Sequence, residues 1–145
     1  MIKIETDRLL GLSDMSVSEG KLVGAPKREI IDLLTIPVTT GREDAFRFYL
    51  KDQPDVEVCH IGFTPARDRF EISYGTELEF RKKGYMTEAL QALTEWIFVN
   101  TAEGEIWGLP NGQQSRHILE RCGYSYCKED TSYDWYVKRR SDHEG

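Results

Sequence analysis

The spacing of apolar and polar positions changes period along the chain, and each change marks an element. Leu9, Leu10 and Leu12 predict a first strand over Asp7–Leu12. Residues 13–26 hold Ser, Gly and Lys and are weakly apolar, which predicts loop or a short helix. Pro26 suits a helix start, so Lys27–Ile36 is expected to be helical. Ile30, Ile31, Leu33 and Leu34 would form its buried side, and Pro37 would close it. The period then shortens. Phe46, Phe48 and Leu50 alternate with Arg47, Tyr49 and Lys51, the signature of a strand. A turn at Gln53-Pro54-Asp55 leads to a second strand, Val56–Phe63. After a turn at Thr64–Asp68, Phe70, Ile72 and Tyr74 alternate with Glu71 and Ser73 in a third. Short turns make these three an antiparallel meander.

From Met86 the period is helical. Met86, Leu90, Leu93 and Ile97 share one face, flanked by Ala89 and Trp96. This helix begins at Lys83, Gly84 or Tyr85 and ends near Asn100. Glu105–Leu109 predicts a short strand stopped by Pro110. Ser115, Ile118, Leu119 and Cys122 share a face of a second long helix, and Gly123 is a natural left-handed stop. Tyr124–Cys127 and Tyr133–Lys138 predict a last antiparallel pair. The strand–helix–strand unit over 70–109 is a crossover, so its two strands should run parallel. The expected fold is α/β of the α+β kind: a mixed, mostly antiparallel twisted sheet flanked by helices. A doubly wound nucleotide fold is excluded, because a meander precedes the crossover.

Composition narrows the classes. The 145 residues suit one domain over 1–145. Nineteen Lys and Arg against 25 Asp and Glu give a net charge of −6. That argues against a general nucleic-acid binder, which needs a positive surface to displace counterions. No apolar run approaches the roughly 18 residues of a membrane span, and Met1–Arg8 lacks the apolar core of a signal peptide. A cytoplasmic protein without membrane or nucleic-acid partners is expected. Cys59, Cys122 and Cys127 lack zinc-site spacing and suit buried thiols in a reducing compartment. No metal site is expected. His60 and His117 are isolated and suit surface or packing roles, and Trp96, Trp107 and Trp135 are spaced as core aromatics.

One junction concentrates candidate chemistry: Glu79-Phe80-Arg81-Lys82-Lys83-Gly84-Tyr85-Met86-Thr87. Three cations meet the start of a helix, whose first N–H groups lack partners within it. That end carries about half a positive charge, and Gly84 lets a ligand approach the backbone. The combination suits an anion site, with phosphate as the natural guest, the alternative being a solvated charged turn. A P-loop is excluded, because Gly-x-x-x-x-Gly-Lys-Ser/Thr is absent.

With Glu71-Ile72-Ser73-Tyr74 before it, this junction resembles the acetyl-CoA-binding stretch of the GNAT family of N-acetyltransferases. It is most similar to the branch that includes ribosomal-protein N-terminal acetyltransferases. The later run Asn111-Gly112-Gln113-Gln114-Ser115, ending Cys122-Gly123-Tyr124, resembles the family's Asn-x-x-Ser helix and its Gly-aromatic end. The resemblance covers 70–137 well and 44–64 loosely. It implies acetyl-CoA as cofactor, with the pyrophosphate held by backbone N–H groups of Arg81, Lys82, Lys83, Gly84, Tyr85, Met86 and Thr87. It implies that the pantetheine arm lies along Tyr74, Gly75, Thr76 and Glu77, where Gly75 would mark a bulge. Asn111 and Ser115 complete the implied cofactor contacts.

The sequence also departs from the family pattern. Met86 stands where a small residue is usual and is expected to turn into the core. Gly112 stands where the Asn falls, with Asn111 one residue off. Leu119 occupies the position of the Tyr that many relatives use as general acid.

Acetyl transfer needs a neutral amine and a donor for the departing thiolate. Ser115 is the first candidate donor, with Tyr124 and Tyr126 as second candidates. Glu71 and Glu77 are candidate bases, expected on one side of the strand that faces the cofactor in relatives. The implied function is acetyl-CoA-dependent transfer of an acetyl group directly to a primary amine: a protein N-terminus, a polyamine or another small amine. The alternatives are a non-catalytic acyl-CoA-binding module, or a small interaction domain whose Arg-Lys-Lys turn meets an acidic protein. The net charge of −6 favours a cationic acceptor. A homodimer is compatible with base rates alone.

Overall fold

The computed structural model describes residues 1–24, 29–31, 37–39, 44–64, 69–129 and 132–144, with 29–31, 37–39 and 143–144 by their backbone alone. Twelve strands appear among them: β1 (Ile2–Glu5), β2 (Leu9–Ser13), β3 (Ser16–Ser18), β4 (Lys21–Val23), β5 (Glu29–Ile31), β6 (Pro37–Thr39), β7 (Ala45–Leu50), β8 (Glu57–Thr64), β9 (Glu71–Thr76), β10 (Glu105–Gly108), β11 (Ser125–Tyr126) and β12 (Tyr136–Arg139). The helices are α1 (Tyr85–Asn100), α2 (Gln113–Arg121) and α3 (Arg140–Glu144), and a 3-10 turn spans Leu78–Phe80.

Eight strands form one sheet in the order β1-β2-β7-β8-β9-β10-β12-β11. Every neighbouring pair is antiparallel except β9–β10. The expected mixed, mostly antiparallel sheet flanked by helices is what the chain forms. The meander β7-β8-β9 and the parallel crossover through α1 stand where the periodicity puts them. The last antiparallel pair forms, but β12 begins at Tyr136 rather than Tyr133, and the 3-10 turn and α3 are additions to the expected order. Gly123 does stop α2, at φ +85°. Phe46, Phe48, Val58, Cys59 and Ile61 are fully buried in the strands. They join Ala89, Leu90, Leu93 and Ile97 of α1 and Leu119 of α2 in one core. Fully burying a large aliphatic or aromatic side chain contributes about 1.5–3 kcal/mol, so this helix-on-sheet contact is the main source of stability. A second, smaller cluster joins Trp107, Cys127, Trp135 and Val137.

The first third of the chain departs from expectation. A strand, β1, precedes the expected one and pairs with it. Within 13–26 the chain makes the hairpin β3–β4 rather than a helix. Where Lys27–Ile36 is expected to be helical, residues 29–31 are a strand paired antiparallel to 37–39. The β-branched pair Ile30-Ile31 favours extended backbone, and Pro37 opens β6 instead of closing a helix, a place a short edge strand tolerates. The rest of that expected helix, and the turn at 65–68, lie outside the described residues. No helix among the described residues is long and apolar enough to cross a membrane. All three cysteines are free and buried, as their spacing suggests.

Candidate functional site

The parallel strands β9 and β10 are in register at only two positions, Trp107 opposite Glu71 and Gly108 opposite Ile72. Beyond that the chain of β10 departs through Leu109 and Pro110 into α2, while β9 runs on to Thr76. The direction of the backbone groups on β9 follows from two hydrogen bonds. The Glu77 N–H donates to Val58 O at 2.9 Å, so odd-numbered residues bond to β8. The Trp107 N–H donates to Phe70 O at 2.9 Å, so even-numbered residues face β10. The N–H and C=O of Tyr74 and the N–H of Thr76 therefore face the gap where β10 has left. The Thr76 carbonyl also faces it and accepts from Arg81 Nε at 3.0 Å.

A groove of about 470 Å³ opens at this divergence. Glu71, Tyr74, Asn111 and Ser115 line it, together with Ser73 and Tyr133. The structure thus brings together four of the residues singled out from sequence. Ser115, in the first turn of α2, is buried. Tyr74 Oη lies 2.7 Å from Ser115 Oγ and 3.0 Å from Ser115 O, within hydrogen-bond reach of both. Burial pushes the Tyr74 phenol up to about 12, against a smaller opposing effect of the Ser115 hydrogen bond.

Other expected residues fall elsewhere. Glu77 is exposed, one residue past the end of β9 at the start of the 3-10 turn, and does not line the groove. Glu71 and Glu77 stand six residues apart along the strand edge, and of the pair it is Glu71 that lines the groove. Gly75 marks no bulge: it pairs in regular register with His60. A Cβ there would lie 3.1 Å from His60 Cε1, so the glycine makes room for the imidazole. Tyr124 is a core residue whose hydroxyl shares a 2.8 Å hydrogen bond with the Thr94 hydroxyl. Tyr126 is exposed against Tyr136 and Asp134. Neither tyrosine lines the groove.

Beyond the open end of β9 lies the cationic junction. Lys82 has φ +63° and Gly84 φ +80°, and these two left-handed residues turn the chain into α1. Gly84 is the N-cap, with no side-chain cap. Its carbonyl accepts from Glu88 N at 3.1 Å, which leaves the N–H groups of Tyr85, Met86 and Thr87 without helical partners. Arg81, Lys82 and Lys83 are exposed around this end. Met86 is buried in the core, as expected from its place on the apolar face.

A fourth cation joins them from the far end of the chain. Arg8 donates from Nε to Glu88 Oε1 at 2.7 Å and from Nη1 to Lys83 O at 3.2 Å. Its guanidinium lies 4.1 Å from the centre of the Tyr85 ring. Glu88 also accepts from the Thr6 hydroxyl and from Arg8 N. Burial works to raise the Glu88 carboxyl, but the bonds from Thr6 and Arg8 outweigh it and hold the carboxyl below its ordinary value. Sequence reasoning missed Arg8, because no spacing rule links residues 80 apart. It also treated Tyr74 as backbone only; the available signal was a tyrosine on the apolar parity of a strand.

The chain is thus a mixed α/β protein whose sheet parts between two parallel strands, with a glycine-turned cationic helix start following the open strand. The family model described as an acetyltransferase (GNAT) domain matches residues 25–125. The chain belongs to the GNAT acetyltransferase family. No curated protein matches it significantly. Solved structures show the fold. A GNAT-family acetyltransferase from Bacillus anthracis is 20% identical with a TM-score of 0.56, over 68% of this chain and 67% of that one. The ribosomal-protein-S5-alanine acetyltransferase from Vibrio fischeri is 18% identical with a TM-score of 0.53, over 68% and 63%. The aminoglycoside acetyltransferase AAC(6')-Ib, solved with coenzyme A, is 15% identical with a TM-score of 0.54, over 70% and 70%. The alignment takes in 60% of an acetyltransferase from Agrobacterium tumefaciens, so this chain spans three fifths to about two thirds of the first relatives.

Proposed function

We propose that the chain is a single acetyltransferase domain that moves an acetyl group from acetyl-CoA directly to a primary amine. The observation that carries this reading is the alignment of the open edge of β9 with an uncapped, cation-ringed helix start. The residues fit the group. The N–H groups at Tyr85–Thr87, with Arg81, Lys82 and Lys83, would hold the pyrophosphate. The Tyr74 and Thr76 backbone would hold the amide-bearing arm, and Asn111 and Ser115, which line the groove, would meet its end. When bound, acetyl-CoA supplies a thioester: an acetyl carbon open to a neutral amine and a sulfur that leaves as thiolate.

The chain's own side chains divide the remaining work. Glu71, in the groove wall, accepts a proton from the acceptor ammonium, directly or through water. Ser115 Oγ presents a hydrogen toward the leaving sulfur. Glu77, exposed and outside the groove, is at most a contact to the arm. The acceptor is a cationic amine: a peptide N-terminus, a polyamine or another small amine. Glu71 in the wall and the net charge of −6 both favour it. The reading places the protein in the cytoplasm without nucleic-acid or membrane partners, and is compatible with a homodimer. A non-catalytic acyl-CoA-binding module is the competing reading, favoured by one observation: Leu119, where many relatives carry a tyrosine acid, is fully buried.

Calorimetric titration with acetyl-CoA tests the first half. Lys82→Glu/Lys83→Glu should weaken binding by at least about tenfold, roughly 1.4 kcal/mol. No binding by the parent at millimolar acetyl-CoA would refute the site. Turnover is then screened with spermidine, a lysine peptide, a kanamycin-type aminoglycoside, and peptides with free N-terminal Ala or Ser. Binding without turnover of any amine would support the module reading instead.

A further inference from the structure

The short contact between Tyr74 and Ser115 poses a question of hydrogens. Tyr74 Oη is within reach of both Ser115 Oγ, at 2.7 Å, and Ser115 O, at 3.0 Å. A phenol has one hydrogen, and so has a serine hydroxyl. When Tyr74 gives its hydrogen to the carbonyl, the 2.7 Å contact requires the Ser115 hydrogen to point at Tyr74. None is then left for the groove. When Tyr74 gives its hydrogen to Ser115 Oγ, the serine hydrogen is free to point into the groove.

We propose that Tyr74 is a positioning residue that aims the Ser115 hydroxyl hydrogen into the groove, at the sulfur of the acyl donor. The proposal rests on the acetyl-transfer reading given above. Three observations carry it. Both side chains line the same groove, one from the strand wall and one from the helix wall. Ser115 is the third residue of α2, so no helical turn precedes it to take its hydroxyl hydrogen, and Tyr74 Oη is the side-chain atom that orients it. Leu119 has no proton to offer and is fully buried, so Tyr74 brings a phenol to Ser115 from the opposite wall. Burial keeps the Tyr74 phenol neutral across the working pH range, so its hydrogen is always present.

Tyr74→Phe, Ser115→Ala and the double variant test this, with acetyl-CoA and the fastest amine from the panel. Tyr74→Phe should lower kcat at least tenfold while the acetyl-CoA KM and calorimetric Kd stay within twofold of the parent. The double variant should be no slower than Ser115→Ala. In the unliganded proteins the two Tm losses should fall short of adding, because both substitutions remove one bond. Ser115→Thr, which keeps the hydroxyl and its partner, should retain most of the rate. Parent-like kcat in Tyr74→Phe, multiplying losses in the double variant, or Ser115→Thr as slow as Ser115→Ala would each overturn the role of Tyr74 alone. A parent that binds acetyl-CoA and acetylates no amine would overturn the transfer reading, and this proposal with it.

Discussion

Replacing Glu88 by Gln tests the clamp that ties the N-terminal strands to the cationic loop. The carboxylate accepts from the Thr6 hydroxyl, from Arg8 N at 3.0 Å and from Arg8 Nε at 2.7 Å. An ion pair this exposed contributes little by itself, about 0.5–1 kcal/mol, since Arg8 is 43% and Glu88 21% exposed. Hydrogen bonds from a hydroxyl and an amide to a charged oxygen add more, about 1.5 kcal/mol each before solvent is discounted. Gln keeps one acceptor and loses the charge, so the expected loss is about 1–2 kcal/mol, or about 3–6 °C in Tm for a domain of this size. The Arg8 contact to Lys83 O should loosen as well, weakening acetyl-CoA binding severalfold, by about 1 kcal/mol. Thermal melts and calorimetry read the two effects.

The pH dependence of that loss has a definite sign. The folded Glu88 carboxyl lies below its ordinary value of 4.5. Its stabilisation is therefore complete above that value and lost as pH falls through the lower folded one. The gap in Tm between parent and variant should close on acidification below 4.5. A variant that melts within about 1 °C of the parent at neutral pH would refute the clamp.

Three further outcomes follow from the packing. Gly123→Ala should cost about 1–2 kcal/mol in a denaturant melt, because Gly123 sits at φ +85° and a Cβ would run into Lys138 Nζ. Tyr124→Phe should cost about 1–2 kcal/mol by leaving the buried Thr94 hydroxyl unpaired, and Thr94→Val added to it should recover part of that. Burial pushes the Cys59 and Cys122 thiols up to about 12. Both should resist a disulfide reagent at pH 8 until denaturant is added, and stability should fall above pH 9, where only the unfolded thiols ionise.

Legibility followed sequence separation. The meander, α1 and its glycine start, and the Gly123 stop rest on local periodicity and turn chemistry, and they were visible in the sequence. The start of the chain was not. The Ile30-Ile31 pair fits a helix face or a strand equally well, and Pro37 can close one or open the other. At the candidate site, the glycine turn into α1 and the place of Ser115 on α2 were legible through residue type at fixed spacing. Glu77 shares the parity of Glu71 but not its groove, because alternation says which way a residue points and not how far along the strand a groove reaches. Gly75 was misread because a glycine in a strand fits both a bulge and a crowded neighbour, and only the position of His60 decides between them.

The sequence by itself did not determine the 3-10 turn at Leu78–Phe80 or α3, but it did determine the meander, α1, α2, the parallel crossover and a cation-ringed helix start. These depend on interactions within a turn or a few residues, so their cause lies next to them in the chain. Tertiary structure decided the rest: β10 leaves β9 after two residues, Tyr74 meets Ser115 across 41 positions, and Arg8 closes on Glu88 across 80. Those contacts depend on how a twisted sheet stacks against its helices. That stacking is set by the packing of the whole core, to which no single segment holds the key.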